Sequence, residues 1–178
     1  MVALVLKAFV AQAFSIPSPS MEPQLLVGDR VAVSRIAYRL HDPNRGDIIV
    51  FPAPGSAPDG SALPARLLED VAEGIGVNEP DEEELIKRVI GLPGETIEGR
   101  DGHVVIDGRV LIEPYLQPTV TTSDFGPVTI PEGRVFVMGD NRGDSHDSRY
   151  SDIGTIDEDT IVGRAIGRIW PPHRRAFL

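Results

Sequence analysis

The sequence predicts a mainly β protein built from short antiparallel strands. Gly (18) and Pro (16) are frequent in a chain of 178 residues, so turns are many and long helices are interrupted. Short runs of β-branched and aliphatic residues lie between those turns. Hydrophobic residues reach 41% with only 6% aromatic, enough for a core and unlike a disordered chain.

Residues 1–14 are the most apolar stretch. A spanning helix needs about 20 apolar residues, and this run is shorter and broken by Lys7 and Gln12. It is expected to be the end of a truncated membrane anchor. A secretory signal (Ala11-Gln-Ala13 has the small-x-small pattern) and an ordinary buried helix or strand are the alternatives. Residues 15–20 cannot continue a helix, because Pro17 and Pro19 remove donors and push Ile16 and Ser18 toward extended geometry. Residues 31–38 and 47–51 read as strands. Residues 53–84 are expected to be an inserted loop and short helix. Their start is rich in Pro, Gly, Ser and Ala, 65–72 carry apolar residues at helical spacing, and 78–84 are acidic. Residues 85–90 form a strand closed by Gly91-Leu-Pro-Gly94. Residues 104–112 form a hairpin around Asp107-Gly108, which supplies the positive φ of a tight turn. Residues 128–130, 134–138 and 160–170 are further strands.

Charge narrows the partners. With 17 Lys+Arg against 27 Asp+Glu the formal net charge is -10, so a nucleic-acid backbone would be repelled. The basic cluster His173-Arg174-Arg175 is short and reads as a solvated or headgroup-facing end. The absence of cysteine excludes disulfides, thiolate metal sites and a cysteine nucleophile.

Three segments carry chemistry. Pro17-Ser-Pro-Ser-Met-Glu-Pro has the composition of a linker, but Phe14, Ile16, Met21, Leu25 and Leu26 around it are core-forming. In Leu85-Ile-Lys-Arg-Val-Ile-Gly91 strand alternation gives each face one basic residue among aliphatics. Lys87 there is either a snorkelling edge residue or a desolvated amine able to take a proton from a serine. Met138-Gly-Asp-Asn-Arg-Gly-Asp-Ser-His-Asp-Ser-Arg-Tyr150 is a polar turn after an apolar strand. As a calcium loop from Asp140 it fails, with Arg142 third and Ser145 sixth where Gly is needed. Asp–Arg pairs holding a turn that orients a site fit it better.

In this order and spacing, Ser-Pro-Ser-Met-Glu-Pro, Ile-Lys-Arg-Val-Ile-Gly-Leu-Pro-Gly and Gly-Asp-Asn-Arg-x-x-Ser-x-Asp-Ser-Arg resemble bacterial type I signal peptidase, over nearly the whole chain. The resemblance implies a serine endopeptidase that removes signal peptides from exported preproteins after a small-x-small motif, with no metal or organic cofactor. Ser20 would be the nucleophile and Lys87 its general base. Ser18 would join the Ser20 N–H in stabilising the oxyanion. Ser145 would hydrogen-bond the Lys87 amine, Asp147 and Arg149 would form a supporting ion pair, and Asp140, Asn141 and Arg142 would shape the loop. Ile16, Pro17, Met21 and Ile86 would line shallow pockets for small side chains. The implied fold is a β-rich catalytic core, residues 15–178, with a smaller β lobe near 93–130. It would be monomeric, touch membrane lipid, and hang from a single N-terminal anchor on the extracytoplasmic face of the cytoplasmic membrane. One departure stands out: Pro19 occupies a position where the family often has Gly, and it has no N–H to offer.

Other readings compete. A triad of Ser20, His146 and an aspartate is possible on composition, although a histidine in a polar turn is usually a surface residue. His41, His103 and His173 lack metal-ligand spacing. A specialised Ser–Lys processing peptidase, or an inactive membrane-proximal β domain that only binds peptides, would share much of this sequence.

Overall fold

The structure is a computed structural model that describes residues 11–39, 41–55 and 84–178. Among these, the short aliphatic runs become strands of two antiparallel sheets. Across the larger sheet lie β1 (Ala11–Ser15), β2 (Arg30–Ser34), β11 (Gly163–Trp170), β3 (Ile48–Pro52), β4 (Glu84–Gly91), β9 (Arg134–Met138) and β10 (Ile156–Asp157), with β12 (Ala176–Phe177) paired to β11. The smaller sheet has the order β7 (Arg109–Val110), β6 (His103–Ile106), β5 (Thr96–Arg100), β8 (Phe125–Thr129).

The hairpin joining β6 to β7 turns at Asp107 (φ 49°) and Gly108 (φ 76°), the left-handed pair that a two-residue turn requires. Phe51 and Phe136 are fully buried, and burying such a side chain contributes about 1.5–3 kcal/mol each. The core has three parts. Phe14, Ile16, Met21, Leu25, Val31, Val33 and Ile86 pack in one, Ile90, Ile97, Val104 and Phe136 in the second, and Ile49, Phe51, Val89 and Val137 in the third.

Several expectations change. Residues 11–14 do not continue an anchor: they form β1, which pairs with β2 from Ala11 opposite Ser34 to Ser15 opposite Arg30. Phe14 is buried in the first core cluster, so its apolar side chain serves this sheet rather than lipid. Residues 1–10, the proposed helix at 65–72 and the acidic run up to 83 lie outside the described residues. The strand expected over 31–38 stops at Ser34, and Ala37–Arg39 make a 3-10 turn. The strand expected from residue 160 starts at Gly163, because Asp157 caps a 3-10 turn at Glu158–Thr160 by accepting from the Asp159 N–H. The small sheet contains β5, which the sequence reading did not anticipate.

Strand β4 positions the site. It pairs with β3 from Glu84 to Arg88, but β9 covers its other edge only from Arg88 to Gly91. Beside the stretch that β9 leaves, Phe14, Ser15, Ile16 and Pro17 approach Leu85 and Ile86 and line a shallow groove. Among the described residues no helix is long and apolar enough to cross a membrane.

Candidate active site

Ser20 sits in a 3-10 turn, Pro19–Met21, entered through an extended Ser18 (φ -133°, ψ 158°). Pro19 suits the first position of that turn, where its fixed φ is favourable and no N–H is needed. Its carbonyl accepts from the Glu22 N–H at 3.0 Å and from Asn141 Nδ2 at 3.2 Å. The Asn141 N–H donates to the Ser20 carbonyl at 3.0 Å. The nucleophile turn is therefore clamped by the loop that follows β9.

Lys87 reaches this turn from β4. Its Nζ donates to Ser20 Oγ at 2.8 Å and to the Ile86 carbonyl at 3.0 Å, and Ser18 Oγ lies 3.2 Å from Ser20 Oγ. Lys87 is 3% and Ser20 6% exposed. Burial disfavours the ammonium and lowers the Lys87 pKa to about 8, with the Asp147 carboxylate opposing the shift. Roughly a tenth of the amine is then neutral at pH 7, against well under a thousandth for a free lysine.

The loop from Gly139 to Arg149 is a lattice of paired charges. Asp147 receives two bonds from the Arg149 guanidinium, at 2.8 and 2.9 Å, one from the Arg149 N–H at 3.3 Å and one from the Gly139 N–H at 2.9 Å. Burial alone would raise the Asp147 carboxyl, but the Arg149 guanidinium outweighs it and holds the group below the usual carboxylate range. Asp140 accepts both Nε and Nη2 of Arg88, at 2.8 and 2.6 Å. Arg149 also donates to the carbonyls of Arg142 and Ser145. The Ser148 hydroxyl accepts from the Val137 N–H, folding the loop back on β9.

The structure thus gathers Ser18, Ser20, Lys87, Asp140, Asn141, Arg142, Ser145, Asp147 and Arg149 around one junction, with two corrections. Ser145 does not hold Lys87: its hydroxyl is buried without a hydrogen-bond partner. The Lys87 amine is instead turned to Ser20 and the Ile86 carbonyl. Met21 does not line an open pocket: it is 0% exposed, because the 3-10 turn aims it into the first core cluster. Ile16, Pro17 and Ile86 do line the groove. His146 pairs with Asp152 at 2.6 Å in an exposed position, and Ser20 Oγ is bonded to Lys87 and not to a histidine, so no triad forms. Among the described residues no group of three or more His, Cys, Asp or Glu could hold a metal ion.

Sequence reasoning missed four participants. Gly139 has to be glycine, since a Cβ there would lie 2.2 Å from Ser145 Oγ and 2.4 Å from the Ser20 carbonyl oxygen. Glu113 and Thr122 hold Arg142, at 2.5 and 3.0 Å through Glu113 and 2.8 Å through Thr122. The Tyr115 ring lies against Arg88, 4.1 Å from its guanidinium carbon. Only Gly139 had a local signal, its place at the head of the polar turn.

Residues 1–170 match the family described as "Signal peptidase, peptidase S26". Among curated relatives, a probable signal peptidase I of Mycobacterium leprae is 38% identical, over 96% of this chain and 72% of its own. Signal peptidase I of Mycobacterium tuberculosis is 40% identical over 96% of this chain and 68% of its own. A probable signal peptidase I-2 of Synechocystis is 38% identical over 99% of this chain and 71% of its own.

Proposed function

The chain belongs to the signal peptidase family, peptidase S26, and from that premise we propose how this serine endopeptidase removes signal peptides from exported preproteins. The observation that carries the reading is the 2.8 Å contact between a buried Lys87 amine and Ser20 Oγ.

Neutral Lys87 accepts the Ser20 hydroxyl proton as Oγ attacks the scissile carbonyl. The oxyanion forms beside Ser18 Oγ and the Ser20 N–H; one such donor is worth about 2.7–4 kcal/mol. Protonated Lys87 then gives its proton to the leaving amine, and the acylated Ser20 remains. A water deprotonated by Lys87 hydrolyses the ester and restores the serine.

The substrate lies extended in the groove between residues 14–17 and the Leu85–Lys87 edge, adding a strand to β4. Shallow walls from Ile16, Pro17 and Ile86 favour the small residues of a small-x-small motif. Signal peptidases are membrane-associated, and here the domain sits on the extracytoplasmic face of the cytoplasmic membrane through an N-terminal segment. Exposed Leu26, Val27, Ile169, Trp170 and Phe177 beside Arg168 and Arg174 support contact with lipid.

Cleavage of a purified preprotein in detergent tests the reading, with wild type, Ser20→Ala and Lys87→Ala compared and product N-termini sequenced. Cleavage after a small-x-small site, lost in both variants, is expected. A folded wild type inactive on several preproteins would favour a domain that binds peptides only.

A further inference from the structure

Two buried arginines flank the dyad, and one short segment of the chain holds both. Arg88 directly follows Lys87 in β4 and carries Asp140 on its guanidinium. Arg142 belongs to the loop and donates through Nε to the Gly139 carbonyl at 3.0 Å. Glu113 grips the far side of Arg142 with both carboxylate oxygens, at side-chain exposures of 9% and 0% respectively. The Tyr115 hydroxyl donates to Glu113 Oε1 at 2.6 Å, while its ring covers Arg88.

We propose that Glu113 and Tyr115 are positioning residues that brace the Ser20–Lys87 pair through Arg142 and Arg88. The route has little slack. Arg142 fixes Gly139, and Gly139 is packed so tightly that a single added carbon would meet both the Ser20 carbonyl and Ser145 Oγ. On the other side Asp140 and the Tyr115 ring fix Arg88, the residue next to Lys87. A segment outside both catalytic stretches thereby sets the distance between nucleophile and base. Bidentate carboxylate–guanidinium pairing suits that task because it fixes orientation as well as separation. The brace rests on the Ser–Lys reaction proposed above and adds to it a means of positioning.

The test uses the purified chain and a preprotein substrate, with kcat and KM measured separately and folding checked by circular dichroism. Glu113→Gln is expected to lower kcat on the order of 10–100-fold, as residues that orient a reacting group do, with KM within about twofold. Arg142→Gln should behave alike, and the double variant should be no slower than the slower single one, because the two act along one route. A kcat within about twofold of wild type for folded Glu113→Gln, or additive losses in the double variant, overturns the proposal. Should Glu113→Gln fail to fold, Tyr115→Phe removes only the hydroxyl bonded to Glu113. A kcat loss at constant KM then supports the brace, and an unchanged kcat overturns it.

A second readout needs no turnover. The chain has no cysteine, so Ser20→Cys places a unique thiol on Lys87, and iodoacetamide alkylation across pH reports its pKa. The thiol should titrate below the free-cysteine value of about 8.5 and rise toward it when Glu113→Gln is added. An unmoved titration overturns the brace. A moved titration, together with a folded wild type that cleaves no preprotein, supports the brace and counts against the proposed reaction.

Discussion

Two buried polar regions meet at Ser20, and they are built on opposite rules. In the loop after β9 the charges are paired: Asp147 with Arg149, Asp140 with Arg88, Arg142 with Glu113. At the dyad the opposite holds: Lys87 is nearly as buried, yet its hydrogen bonds go to a hydroxyl and a carbonyl, not to a carboxylate. Burial of a charge without an ion-pair partner disfavours it. The paired region is therefore rigid and permanently charged, and the dyad is poised to lose a proton. A single Asp beside Lys87, as tightly placed as Asp140 is on Arg88, would abolish that poise.

The comparison can be broken on its paired side first. Asp147→Asn leaves the Arg149 guanidinium buried without its counter-charge, and should destabilise the fold by about 3–5 kcal/mol in urea unfolding. A loss under 1 kcal/mol would mean that water already compensates the pair.

On the dyad side the linkage has a definite sign. The unfolded chain keeps a proton on Lys87 up to a pKa of 10.5, the folded protein only up to about 8. Below pH 8 both states are protonated and the fold bears the full penalty, about 3 kcal/mol. Between pH 8 and 10.5 the unfolded state binds more protons, so this contribution makes stability rise with pH. Lys87→Met should remove the rise and stabilise the fold at pH 7. Parallel pH–stability curves for variant and wild type would show that Lys87 is not desolvated.

The junction between the regions gives the smallest stability effect. Gly139→Ala forces a carbon against Ser145 Oγ and the Ser20 carbonyl, an overpacking that costs about 1–3 kcal/mol. Its loss of kcat should exceed what unfolding accounts for at the assay temperature, because the displaced atom belongs to Ser20. Equal losses of activity and folded fraction would sever the junction from the chemistry.

What the sequence made legible follows the range of each interaction. Residues 134–138 and the Asp107-Gly108 turn were readable because aliphatic runs and left-handed turn residues act locally. The dyad was readable because Ser20 and Lys87 stand in specific local motifs. Strand β5 was not, since Thr96–Arg100 offers little apolar pattern and is held by pairing with β6 and β8 on its two sides. Residues 11–14 looked lipid-facing because apolarity alone does not say which partner buries it. The hold of Glu113 on Arg142 spans 29 positions and leaves no local trace. Nor does sequence reveal a rotamer, so the missing bond from Ser145 to Lys87 could not be foreseen.

The pH dependence of kcat/KM for preprotein cleavage tests the central claim, that a neutral Lys87 takes the Ser20 proton. An acid limb with an apparent pKa of about 8 is predicted, with activity absent in Lys87→Ala and retained in His146→Ala. A limb near the ordinary histidine value of about 6.5 that disappears in His146→Ala would contradict it.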